Sequence, residues 1–223
     1  ESPADAKSVS SEIISMHALK QLHLPAADHD ALSGFSLPSL ELLCLGDATR
    51  ITHFDDFLDG LPRLTQLLLD SGAIVGVSPR TRAVPSLRKL HAPASAFRTI
   101  ARLFPNLSEA DVFGQEAEDA AKVFEVLIAH PQLALTHLTL RPPLTAENFD
   151  AAALAQVLQS NAALRLLYLP RGDDDVTARL IELREQESRA RLSDAERCFV
   201  HVGFEPKHNF GRAAANCADC LLV

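Results

Sequence analysis

The pattern Leu-x-x-Leu-x-Leu, plainest in Leu64-x-x-Leu67-x-Leu69, constrains this chain more than any other feature because it returns along the sequence in register. The other copies are Leu19-x-x-Leu22-x-Leu24, Leu40-x-x-Leu43-x-Leu45, Leu87-x-x-Leu90-x-Ala92, Leu107-x-x-Ala110-x-Val112, Leu135-x-x-Leu138-x-Leu140 and Leu164-x-x-Leu167-x-Leu169. Their first residues stand 21, 24, 23, 20, 28 and 29 positions apart. That spacing holds one strand and one return segment, a unit that can bury its apolar side only against its neighbours. Four copies are entered through Pro at one offset: Leu37-Pro38-Ser39-Leu40, Leu61-Pro62-Arg63-Leu64, Val84-Pro85-Ser86-Leu87 and Phe104-Pro105-Asn106-Leu107. Pro sets its own φ and has no N–H to donate, so it suits the bend that feeds a strand better than the strand itself.

Between the copies the return segments change character. Phe54, Phe57 and Leu58 fall at helical spacing in a short segment, and the stretches Glu116 to His130 and Phe149 to Ser160 read as fuller helices. After Pro170 the copies stop. The spacing there predicts a charged helix from Val176 to Leu192, with Val176, Leu180 and Leu183 as a narrow apolar stripe and Glu185/Arg189 and Glu187/Arg191 at i,i+4. Ser193-Asp194-Ala195-Glu196 has the form of a capping box, while Cys198 to Phe204 alternates like a strand, and both readings stay open.

From about Ile13 to Pro170 the copies resemble the leucine-rich repeat family. Ala153-Leu154-Ala155-Gln156-Val157-Leu158-Gln159-Ser160-Asn161, followed by Leu164, resembles the longer helix-bearing repeats of its ribonuclease-inhibitor-like class. The resemblance implies an α/β leucine-rich repeat solenoid over residues 1–172, with parallel strands on the concave face and helices and short return segments on the convex face. Residues 173–223 would then form a helical cap and tail. Where many members carry Asn or Cys, three residues past the last core position, this chain has Ala27, Ala48, Gly72, Ser95, Gln115, Pro143 and Gly172. The side-chain ladder that commonly satisfies the turn after each strand is therefore missing or replaced.

The resemblance also implies a protein-recognition module rather than an enzyme, acting as the substrate-reading part of a ubiquitin ligase or as an effector. If the leucines point inward, the residues between them line the concave sheet. One outward column is Gln21, Leu42, Gln66, Lys89, Glu109, His137 and Leu166; the other is His23, Cys44, Leu68, His91, Asp111, Thr139 and Tyr168. Leu42, Leu68, Lys89, His91, Glu109, Asp111, His137 and Tyr168 are the candidate partner-binding residues. Leu42, Cys44 and Leu68 make an apolar patch, and opposite charges stand at Lys89/His91 and Glu109/Asp111.

Charge and motif content narrow the function further. A net charge of −8 argues against wrapping a nucleic acid, which needs a basic face. No apolar run approaches the ~18 residues of a membrane span, and the four cysteines lack the even spread of a secreted disulfide framework, so a cytoplasmic setting is expected. Gly-x-Ser-x-Gly, phosphate-loop and His-Glu-x-x-His motifs are absent. His23 and His91 would lie three strands apart, roughly 14 Å at ~4.8 Å per strand, too far to share one ion.

The tail offers an alternative, a zinc-stabilised or prenylated adaptor. Cys198-x-x-His201 and Cys217-x-x-Cys220 are paired ligand gaps of the kind that tetrahedral zinc takes, and zinc is the one cofactor the residues suggest. Cys220-Leu221-Leu222-Val223 instead resembles a C-a-a-X signal in which Cys220 carries a prenyl group, which would bring the protein to a membrane. The two exclude each other, because a thioether cannot replace a thiolate ligand. A tail with neither, and a protein with no cofactor, is the reading the residues favour.

Overall fold

A computed structural model of the protein describes residues 18–25, 36–47, 49–77, 83–114, 116, 118–141, 144–145, 149–169, 175–176, 178–183, 199–202 and 221–222. The fold is α/β, with parallel strands alternating with helices. The chain divides into two compact units, Glu1–Ser108 and Glu109–Val223.

The first unit contains β1 (Gln21–Leu24), β2 (Leu42–Leu45), β3 (Arg50–Ile51), α1 (Phe54–Asp59), β4 (Gln66–Leu69), β5 (Ile74–Val75), β6 (Lys89–Pro93) and α2 (Ala94–Ile100), which runs into a 3-10 turn at Ala101–Leu103. Strands β1, β2, β4 and β6 pair in parallel in that order, and β3 pairs with β5 separately. Register places Leu22, Leu43, Leu67 and Leu90 in one row, all buried, so the second Leu of each copy stacks into a continuous core. Phe54, Phe57 and Leu58 of α1 and Phe97 and Ile100 of α2 bury their rings and branches in the same unit.

Three copies enter their strands through the same local device. Leu40 N–H donates to the Leu37 carbonyl at 3.0 Å, Leu64 to Leu61 at 3.1 Å and Leu107 to Phe104 at 3.1 Å. These are i,i+3 turns with Pro38, Pro62 and Pro105 at the second position, where a fixed φ near −65° is wanted. The next link is a shared acceptor: the Lys20 carbonyl takes the N–H groups of Glu41 and Leu42, that of Glu41 takes Thr65 and Gln66, and that of Thr65 takes Arg88 and Lys89.

The turns after β2 and β4 are held by side chains of other kinds than Asn or Cys. Asp47 Oδ1 accepts from Gly72 N–H at 2.9 Å and from Ser71 Oγ at 3.2 Å. Arg50 Nη1 donates to the carbonyls of Asp47, Thr49 and Gly72 at 2.7–2.9 Å. Before β6 the Arg88 guanidinium does the same work on Pro85 and Asn106, at 2.7 and 3.2 Å. Gly46 has a steric reason to be Gly, since a Cβ there would stand 2.4 Å from the Pro25 carbonyl oxygen.

The second unit contains β7 (Glu109–Phe113), α3 (Asp119–Ala129), β8 (His137–Leu140), α4 (Ala151–Ser160), β9 (Leu166–Leu169), helical residues 175–176 and 178–183, β10 (Phe199–Val202) and β11 (Leu221–Leu222). Strands β7, β8, β9 and β10 pair in parallel, and β11 pairs antiparallel to β10. The shared acceptor recurs, with the Thr136 carbonyl taking the N–H groups of Arg165 and Leu166. Helix α4 is capped by Asp150, whose Oδ1 accepts from Ala152 and Ala153 at 2.9 Å. At its other end buried Asn161 donates to the carbonyls of Val157, in α4, and Leu127, in α3, at 3.0 and 3.4 Å.

Val176, Leu180 and Leu183 are buried, as a helix carrying them on one face requires. The expected pairs Glu185/Arg189 and Glu187/Arg191 and the capping box at 193–196 lie outside the described residues. The strand-like alternation after Cys198 does form a strand, and Val200 and Val202 take the register positions of Leu167 and Leu169. β10 thus extends the ladder with valines where the copies have leucines.

These assignments predict opposite outcomes for adjacent leucines. Leu67 is fully buried and Leu68 is not, so Leu67→Ala should lower unfolding free energy by about 2–5 kcal/mol and Leu68→Ala by about 1 kcal/mol or less. Urea denaturation followed by circular dichroism measures both, and a larger loss at Leu68 would mean that inward and outward faces are reversed. Asp150→Ala should cost about 1 kcal/mol through loss of the α4 cap, read in the same titration.

Candidate partner-binding surface

Side chains of a strand alternate between faces, so burying the leucines turns the residues between them to the other side. In the first unit, register aligns Gln21, Leu42, Gln66 and Lys89 in one row and His23, Cys44, Leu68 and His91 in the next. Leu42, Leu68, Lys89 and His91 are therefore brought onto one face, and all four are partly exposed. Leu42 and Leu68 lie on a diagonal, separated by Cys44 and Gln66, which makes a small apolar centre edged by amide and imidazole groups.

Cys44 sits within that centre, its Sγ 3.8 Å from His23 Nε2. Burial chiefly, and the negative charge of Asp70 secondarily, hold its thiol above the usual range. Both causes favour the neutral thiol over the thiolate, so Cys44 behaves as a small apolar residue rather than a nucleophile.

In the second unit the rows are Glu109, His137, Leu166, Phe199 and Asp111, Thr139, Tyr168, His201. Glu109 and His137 are cross-strand neighbours and partly exposed, and His137 Nδ1 lies 2.8 Å from Thr136 Oγ1. Tyr168 is partly exposed beside Thr139. Asp111 departs from the expectation of a surface contact, because its exposure is 0% and β7 breaks alternation there. The reason is Arg141, whose Nε and Nη2 donate to the two Asp111 carboxylate oxygens at 2.7 and 2.5 Å and cover them.

Arg141 is the residue that sequence reasoning missed. It stands two positions past Thr139, so strand alternation carries it onto the face of Thr139 and His137, yet it follows the last core Leu of its copy and reads as loop. Its backbone N–H still donates to Val112 across the ladder at 2.8 Å. The signal was available as continued alternation, but the repeat frame cut it off.

Cys198, Cys217 and Cys220 lie outside the described residues, and of His201 the backbone register alone is described. Among the described residues no group of three His, Cys, Asp or Glu side chains could hold a metal ion, and no helix is long and apolar enough to cross a membrane. No model of a protein family matches this chain, and no curated protein matches its sequence.

The Cys44 environment predicts slow alkylation. Iodoacetamide labelling near pH 8, quantified on the Cys44 peptide by mass spectrometry, should run several-fold slower in the folded protein than in urea. Asp70→Asn should recover the smaller part of that difference, since burial is the larger cause. Equal folded and unfolded rates would contradict the environment described.

Proposed function

We propose that the protein is a divergent leucine-rich repeat protein that recognises another protein through the outward face of its parallel strands, and that it binds without turnover. The observation that carries this reading is the placement of Leu42 and Leu68 on the outward face of the first unit, partly exposed, in rows that also present Lys89 and His91; the second unit, by itself, presents Glu109, His137 and Tyr168. Large apolar groups turned away from the core fit a surface used for contact.

The physical advantage of such a face is preorganisation. The strand backbone is fixed by its ladder and the turns by Asp47, Arg50 and Arg88, so a partner meets side chains whose spacing is already set, and less conformational entropy is lost on binding. Specificity then resides in which side chains occupy the outward rows, while the inward rows stay aliphatic. A substrate-reading role in a ubiquitin ligase, or an effector role, is compatible with this mechanism, and the acidic net charge favours a protein over a nucleic acid as the partner.

The test is affinity capture with the purified protein, its Leu42→Ala/Leu68→Ala variant and an Arg98→Ala control on the exposed side of α2. A protein retained by the wild type and the control, and reduced about tenfold or more by the double variant, is the expected outcome. All three should share one melting profile within a few degrees. Equal retention by the double variant would move binding away from this face.

A further inference from the structure

We infer that Arg141, held by buried Asp111, is an acid-reading anchor on the outward face of the second unit, and that the segment it takes is extended polypeptide carrying an Asp or Glu beside an apolar residue. This inference rests on the recognition role proposed above. Three observations carry it.

The guanidinium is oriented rather than merely present. Two of its nitrogens are fixed by the fork on Asp111, whose carboxylate is fully buried, while the Arg141 side chain keeps 34% of its exposure. Its third nitrogen, Nη1, has no hydrogen-bond partner among the described residues, so N–H donors of a guanidinium already fixed on one edge remain for a further acceptor. That geometry suits a second carboxylate accepting in the same plane.

The position does not require a charge for folding. The repeat position of Asp111, which carries the buried half of the pair, is held in other copies by Cys44, Leu68 and Thr139. A buried ion pair is a poor source of stability compared with apolar packing, so its presence here is better explained by what it orients.

The surroundings select the ligand. Phe113 follows Asp111 on the same side of β7, and Tyr168 lies across Thr139 on β9, both partly exposed. A carboxylate at Arg141 would therefore have aromatic surface for an apolar neighbour. The net charge of −8 disfavours a polyanion but tolerates one carboxylate at a local cation. Strand rows match the two-residue period of an extended segment.

The test is selection of a random twelve-residue peptide library displayed on phage against the full chain and against its Asp111→Asn/Arg141→Gln variant. That variant removes both charges and leaves no carboxylate buried alone; Arg141→Ala would leave one and threatens folding. The expected result is a family of peptides with an acid at one fixed position beside an apolar residue, whose affinity falls about tenfold or more on the variant. Enriched peptides without a fixed acid, or with undiminished affinity for the variant, overturn the Arg141 inference and leave the recognition reading standing. No enriched peptide on the wild type overturns both. As a readout that needs no variant, the Arg141 guanidinium resonances of the wild type should shift with a selected peptide and stay unmoved with the same peptide carrying the amide in place of the acid; shifts with both overturn the inference.

Discussion

The interaction on which the structure depends is the shared carbonyl at the mouth of β2, β4, β6 and β9. A strand of four residues cannot satisfy its own backbone, and a buried N–H or C=O left unpaired costs more than a short strand returns. The carbonyls of Lys20, Glu41, Thr65 and Thr136 each take two N–H groups from the next copy, so the entry of one strand is fixed by the residue before its neighbour. Once that junction is set, parallel register follows. The second leucines of the copies then fall into rows, Leu22, Leu43, Leu67 and Leu90 in the first unit and Ala110, Leu138, Leu167 and Val200 in the second.

Hydroxyl and guanidinium groups reinforce the junction at one repeat position. Thr65 Oγ1 donates to the Glu41 carbonyl and Ser108 Oγ to that of Arg88, at 3.1 Å each. Arg88 and Arg165, one residue past the first Leu of their copies, instead turn back onto the carbonyls of the entry turn, Pro85 at 2.7 Å and Ala162 at 2.5 Å. Different residue types thus meet one demand, the pairing of turn carbonyls. This is why the chain manages without a uniform ladder of Asn or Cys, and why its turns look irregular when read as letters.

The same alternation that builds the core creates the surface opposite. Apolar, amide, imidazole and acidic groups stand in the outward rows because the backbone constrains where they point and not what they are. Cys44 and Asp111 show the range this allows. A thiol held neutral by its surroundings serves as apolar surface, and a carboxylate is drawn under a guanidinium until none of it meets solvent. Reading the rows as a uniform exposed platform misses both, since burial depends on what the neighbouring side chain does as well as on which face a residue occupies.

From residues alone, the position and type of the seven strands, the entry turns at Pro38, Pro62 and Pro105, the helices beginning near Asp119 and Ala151 and the inward set of leucines could all be read, because each follows from periodicity and from the fixed φ of Pro. The outward rows followed too, as the complement of the leucines. What tertiary structure decided was anything that depends on a partner distant in sequence. Asp111 is buried by a residue 30 positions later, Asp47 and Arg50 hold a turn that lies beyond α1, and Val200 and Val202 join the ladder although the leucine pattern has ended. Local pattern encodes which way a side chain faces; only packing determines what it meets there.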